Sequence, residues 1–530
     1  MNNYLKYSIL AVLLLLVLPV IAKDRYVRNP YIDVIHYTFS ITLNDSTDRI
    51  EGKAEISLFL FENQDSVSFD LVKKAVDGNG MIVTNVTILG KQVKWYQAEE
   101  KLVLFPDNYI TGDTLGISVE YFGVPADGLI ISRNKFGKRV FFSDHWPDRA
   151  HNYLPCIDHP YDKAAVEFYI TAPSHYKVVS NGVFSGAWIV SDGLKCTHWE
   201  ESVPLPVKVM AFGVADFAVN DTAKADGIPV SSWVFPENAK EGFFDYSVAV
   251  RPLEYYITHI GTYPYKKLAN VQSKTIYGGL ENAGAIFYAE KSVTGMGRAE
   301  ELISHEIAHQ WFGNNITEND WYHIWLSEGF ATYLTSMYFE VTRGEDFFRT
   351  DMDSTRAKVL RYYRKNRMPV IDTTVTDLMK LLNPNSYQKG AWALHMLRDQ
   401  IGDSVFRKGL QMFYNKYRNS NVVTDDFRKV MEEASGQQLN DFFRQWLYTG
   451  GQPVLDIRVE KGKRGTSRIT IEQKQDRIFT FPVEILIGTS AGDKLLRIQV
   501  KERLTKYTVP DRVFSYKVDP DVKLLFDYSK

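Results

Sequence analysis

The sequence predicts a multidomain α+β protein: an N-terminal antiparallel β domain, a mostly helical middle domain and a small C-terminal β-sandwich. Three observations lead there. From residue 23 to about 228, apolar and polar residues alternate in short runs punctuated by Gly, Asn and Asp, the period of half-buried strands. From 229 to 450, long segments of helical period take over. From 451 to 530 the alternation returns. A chain of 530 residues, 45% hydrophobic and 24% charged, has ordinary globular composition and room for about three domains.

Residues 1–22 read as a targeting segment. Lys6 makes its start positive, Ile9 to Val20 is apolar, and Val20-Ile21-Ala22 resembles a small-residue cleavage site. The apolar run is short for a span of about 20 residues. Cleavage near Ala22 and export to a periplasmic or extracellular compartment are expected, with no stable membrane anchor. The strand pattern then runs through His36 to Leu43, Lys53 to Phe61, Lys101 to Phe105, Leu115 to Gly123 and Lys163 to Pro173. Between these strands, Phe141 to Phe168 is crowded with His145, His151, His159, Asp144, Asp148 and Asp158. Its prolines and irregular spacing predict a loop that frames a cleft, not a metal site of its own.

Helical period is expected around residues 243–259, 300–314, 323–339, 346–365, 388–401, 404–417, 424–434 and 439–448. Thr449 to Ile457 reads as a linker entering a new strand. The alternating runs SRITIEQKQ, FTFPVEILIG, KLLRIQVKE and RVFSYKVDP complete a sandwich of roughly 80 residues.

Charge narrows the function. A formal net charge of -2 gives no reason to expect nucleic acid or an anionic membrane as partner. The two cysteines, Cys156 and Cys196, lie in no metal-binding spacing. They suit either one disulfide or two buried thiols. Asn-x-Ser/Thr sequons begin at Asn44, Asn85, Asn220 and Asn315.

The chemistry concentrates in Glu301 to Leu334. His305-Glu306-x-x-His309 places two imidazoles one helical turn apart on one face, with a carboxylate beside the first. Glu328, 19 residues after His309, supplies a third donor from the next helical pattern. Three protein ligands with one open position is the arrangement of hydrolytic zinc. Glu306 then serves as general base. Upstream, Thr275 to Tyr288 contains Gly278-Gly279-Leu280-Glu281-Asn282. The glycines allow close approach of an extended peptide, and Glu281 offers a carboxylate to a free α-ammonium group. A tyrosine would complete the oxyanion stabilisation. Tyr387 is the candidate, although residue chemistry alone does not select it from 31 tyrosines.

Four blocks together, Leu154 to Pro160, Gly278 to Asn282, His305 to Leu334 and Ser386 to Gly390, resemble the M1 zinc aminopeptidases. These are the gluzincins that include aminopeptidase N and leukotriene A4 hydrolase. The resemblance covers essentially all of the chain after residue 22. It implies a saddle-like N-terminal β domain, a thermolysin-like catalytic domain (229–450) and a small β domain (451–530). It also implies one Zn2+ per chain on His305, His309 and Glu328, with Glu306 as general base. Tyr387 is implied as transition-state donor and Glu281 as amine anchor. Gly278, Gly279 and Asn282 complete the peptide-binding stretch. The large C-terminal helical domain of many members is expected to be absent, leaving a more open cleft.

Four positions depart from the pattern. Leu280 replaces the usual Met, Ser327 the usual Asn, and Thr335 a common Glu. Trp146 aligns with the Gln or Glu that helps define the amine pocket. The expected activity is hydrolysis of the N-terminal bond of peptides. The alternatives are a zinc endopeptidase with an altered amine pocket and a non-catalytic peptide-binding member of the fold.

Overall fold

The computed structural model describes residues 24–106 and 111–529. The expected targeting segment lies outside the described residues. The N-terminal region is organised by an eight-stranded sheet. Its centre is the antiparallel set Ile32–Thr42, Ile50–Leu60 and Thr114–Val124, whose alternating inward residues are buried. One pairing departs from the expected antiparallel pattern: Ile32–Thr42 runs parallel to Ala164–Pro173. The two strands are far apart in sequence, so no tight hairpin dictates their direction.

The middle domain holds a feature that the helical reading missed, a five-stranded sheet. Its order is Ala218–Ala225, Ile228–Val234, Leu268–Ser273, Ala285–Ala289 and the short edge strand Gly279–Leu280. Ala218–Ala225 pairs with Ile228–Val234, so the boundary expected at 228/229 runs through a hairpin. Leu268–Ser273 is buried at every position, which erases the alternation that marks a half-exposed strand.

Helices pack around this sheet. Glu300–Ala308 carries the histidine motif, and Trp325–Arg343 carries Glu328. The first stops at Ala308, short of the expected Asn314. Gln310 and Trp311 donate back to the carbonyls of Ile307 and Ala308, a tighter turn that ends the helix. A single helix expected from His323 is instead a short turn, Trp321–His323, followed by Trp325–Arg343.

A four-stranded and a three-stranded sheet form the C-terminal region, and buried Ile469, Ile471, Val483, Ile485 and Ile487 line their core. Buried polar ties join the three regions. Lys208 pairs with Glu318, and Arg356 Nη1 donates to Asp519 at 2.7 Å. His395 Nε2 meets the Val522 carbonyl at 2.9 Å. Cys156 and Cys196 are buried free thiols. Asn315 is buried and bonded to Asn419, which places that sequon inside the fold. Among the described residues, no helix is long and apolar enough to cross a membrane.

Candidate active site

Acidic Glu300 and Glu301 open the motif helix, where the backbone dipole favours them. Ile303, Ile307 and Ala308 are buried on its core side. That anchorage turns His305, Glu306 and His309 toward the third-ligand helix. The Nε2 atoms of His305 and His309 are 3.1 Å apart. Glu328 Oε2 lies 3.5 Å from the first and 3.4 Å from the second. Tetrahedral zinc with bonds of about 2.0–2.1 Å spaces its ligand atoms about 3.3 Å apart, so this triangle fits. Glu328 Oε2 is buried without a hydrogen-bond partner, as a metal ligand would be before its ion is counted. Among the described residues this is the group of three donors able to hold a metal ion.

Neighbouring groups orient the donors. His309 Nδ1 is 3.0 Å from Ser327 Oγ and 3.2 Å from the Phe312 carbonyl. Ser327, one of the departures noted in the sequence, thus helps to fix an imidazole. Thr335 instead returns its hydroxyl to the Ala331 carbonyl at 2.8 Å. Burial pushes the Glu306 carboxyl well above the usual range; His309 opposes this, and Glu281 and Glu328 add to it. A carboxylate so poorly solvated accepts a proton readily. At Glu328, burial acts upward but is outweighed by His309 and His305, which hold the carboxyl low and ionised.

Gly279 packs closely on the Glu306 side chain. A Cβ there would meet the Glu306 side chain, so the edge strand lies against that carboxyl group. Gly278 faces only an ordinary 3.8 Å contact with Leu302. Next to them, the Glu281 carbonyl accepts from Gln310 Nε2 at 3.0 Å and Asn314 Nδ2 at 2.6 Å. Gln310 Oε1 also accepts from the Gly284 amide at 2.8 Å. Gln310, which sequence reasoning passed over, therefore fastens the Glu281 stretch to the motif helix. Its position directly after His309 was the available signal.

Tyr387 sits in a π-helical turn, Asn385–Lys389, a local widening common at functional sites. Its ring stacks on His305 with centroids 6.0 Å apart and planes at 11°. The turn reaches the ligand helix because two glycines touch. A Cβ on Gly390 would lie 3.1 Å from Gly329 Cα, immediately after Glu328. Burial, reinforced by Glu328, Glu281 and Glu306, keeps the Tyr387 phenol protonated well past its ordinary range.

One cavity of about 240 Å³ brings Glu281, His305, Glu306, Glu328 and Tyr387 together with Gly278 and Gly279. Asn282 is buried and is not part of its wall. Trp146 is part of it, as are Tyr277, Leu302 and Leu382, which sequence reasoning did not single out. Leu302 was within reach, since it lies three residues before His305 on the same helical face. The segment expected as a loop from Phe141 to Phe168 is strand at both ends, Arg139–Ser143 and Ala164–Pro173, and the connection between them sends Trp146 to the cavity wall. Asp144 Oδ2 accepts from Thr275 Oγ1 at 3.0 Å and the Ile276 amide at 3.1 Å, placing Trp146. The loop histidines have structural partners: His145 with Tyr153 at 2.7 Å, His151 with Asp158 at 2.7 Å, and His159 with Asp24 at 2.7 Å.

Comparison with known proteins agrees with this geometry. The Peptidase M1 N-terminal domain model matches residues 34–207, and the Peptidase family M1 domain model matches 244–446. Human glutamyl aminopeptidase is 28% identical over 389 residues, 68% of this chain and 40% of its own length. Probable aminopeptidase 2 of Sulfurisphaera tokodaii is 27% identical over 420 residues, 76% of this chain and 52% of its own. The chain thus spans about half the length of such relatives or less. Legionella pneumophila aminopeptidase A, solved in complex with aspartic acid, superposes with a TM-score of 0.82 at 17% identity. That match covers 96% of this chain and 61% of the other. An M1 zinc metallopeptidase from Deinococcus radiodurans gives 0.67 at 22% identity, covering 80% and 96%. At these identities the two structures speak for the fold. With both family models matching in order, on the two regions whose geometry meets at the cavity, the chain belongs to peptidase family M1.

Proposed function

We propose that the protein is a zinc aminopeptidase, hydrolysing the first peptide bond of peptides with a free amino terminus. The observation that carries this is Glu281. Its Oε1 is buried without a partner, in the cavity that is also lined by two of the metal donors, His305 and Glu328, and by Glu306 and Tyr387. A free α-ammonium group satisfies that oxygen and fixes how far a peptide enters. The edge strand Gly279–Leu280 pairs on only one side, so a substrate backbone can add along the other.

His305, His309 and Glu328 would hold the zinc. When bound, zinc polarises the scissile carbonyl and acidifies water at the site. Glu306 takes the proton of the attacking water on a carboxylate oxygen and later delivers it to the leaving amine. Tyr387 donates its hydroxyl proton in a hydrogen bond to the carbonyl oxygen as charge builds there. The glutamyl preference in the human relative's name is not part of this reading. Export, with removal of residues 1–22, belongs to the proposal and rests on the pattern of that segment alone.

The test is a panel of peptides offered both free and N-acetylated. Cleavage confined to free peptides, one residue at a time from the amino end, is the expected result. Cutting of the acetylated set would mean an endopeptidase. Binding without cleavage, with zinc verified by metal analysis, would mean a non-catalytic member of the fold.

A further inference from the structure

The cavity wall has a chemical one-sidedness that bears on the first residue of the substrate. Trp146 is 2% exposed and forms part of that wall. Its indole stands edge-on to Tyr277, at 6.0 Å and 84°, and to Trp321, at 5.8 Å and 78°. Its carbonyl accepts from Arg149 Nε at 2.9 Å and the Tyr277 hydroxyl at 3.1 Å. The ring is therefore a fixed surface, continued by Tyr277, Leu280, Leu302 and Leu382.

Apart from His305, no basic side chain among the described residues lines the wall. Glu281, Glu306 and Glu328 line the cavity, and no lysine or arginine does among the described residues. Arg149, on the same loop as Trp146, has a partner on each of its three side-chain nitrogens. Nη1 binds Asp127 at 2.8 Å, Nη2 binds Asp144, and Nε holds the Trp146 carbonyl. An acidic side chain entering here would find two carboxylates not committed to metal and no free cation. The Trp146 indole N–H, buried without a partner, cannot serve as an acceptor. It leaves the ammonium group to Glu281 and gives an acidic side chain only a neutral donor. A bulky apolar side chain meets aromatic and leucine surface instead.

We infer that Trp146 determines specificity, making the subsite for the first residue one that takes large uncharged side chains and rejects acidic ones. This rests on the aminopeptidase reading above. The full chain is assayed on aminoacyl reporter amides of leucine, phenylalanine, aspartate and glutamate. Leucine and phenylalanine are expected to exceed both acidic reporters in kcat/KM by at least ~100-fold. Acidic reporters within tenfold of leucine, or above it, would overturn the inference while leaving the aminopeptidase reading intact. No turnover of any reporter would remove both.

Trp146→Arg, which adds a cation to the wall, should raise the glutamate-to-leucine ratio of kcat/KM at least ~10-fold. A folding defect lowers all reporters together and leaves that ratio alone. Where Trp146→Arg fails to fold by circular dichroism, Leu382→Arg at the half-buried rim replaces it, with the same ratio expected to rise. An unchanged ratio in the folded variant would overturn the inference.

Discussion

At the scale of single residues, the proposed division of labour can be tested one side chain at a time. Glu306 lies against the edge strand and outside the group of three donors able to hold a metal, so on the proposed reading removing its charge separates proton transfer from metal binding. Glu306→Gln keeps the volume and loses the base. It is expected to lower kcat by about 10²–10⁴-fold with zinc content unchanged by metal analysis. A variant that retains kcat would remove Glu306 from its role. The sequence made His305, Glu306 and His309 legible because i, i+4 spacing on a helix is local geometry. Gln310 and Ser327 were not legible, because their roles lie in contacts with Glu281 and His309 that form only on folding.

At the scale of elements, the site depends on three short pieces meeting: the motif helix, the edge strand and the π-helical turn. The close contact of Gly329 with Gly390 brings the turn to the ligand helix. Gly390→Val would force the two apart, because a Cβ at 390 already lies 3.1 Å from Gly329 Cα and 3.5 Å from Trp325 Cβ. We expect a loss of about 1–3 kcal/mol in stability by denaturant titration, the usual cost of overpacking. The folded fraction should turn over at least ~10-fold more slowly, since the turn bearing Tyr387 is displaced from the helix bearing Glu328. The helices around this contact were legible from their period. The strands Leu268–Ser273 and Ala285–Ala289 were not, because burial on both faces removes the alternation a strand reading needs.

At the scale of the whole molecule, buried polar groups at the domain joints make stability depend on pH. His395 is buried where the helix Gly390–Ile401 meets the C-terminal region; its Nδ1 faces the Tyr333 hydroxyl at 3.1 Å. Burial lowers its pKa from 6.5 to about 4, with Arg398 and Lys523 acting the same way and the Val522 carbonyl and Asp399 opposing. Between those values the unfolded chain binds a proton there and the folded chain does not. Stability is therefore lost as pH falls from 6.5 toward 4, by at most about 3 kcal/mol from this residue. His395→Gln should flatten the fall in Tm between pH 6.5 and 4 relative to the unsubstituted protein. Equal slopes would show that His395 is not titrating as stated. The three-region order was legible from the change of period along the chain. The joints were not, because pairs such as Lys208–Glu318 and His395–Val522 are more than 100 residues apart in sequence and carry no local pattern.

The cavity wall also sets a timetable. Its contributors run from Trp146 through Tyr277 and Leu302 to Tyr387, in the order in which a ribosome releases them. The donors for zinc have all left the ribosome once Glu328 has, while the turn bearing Tyr387 is still to come. The residues able to hold a metal are thus all made before the wall is complete, and Tyr387 is the last of the cavity's residues to emerge.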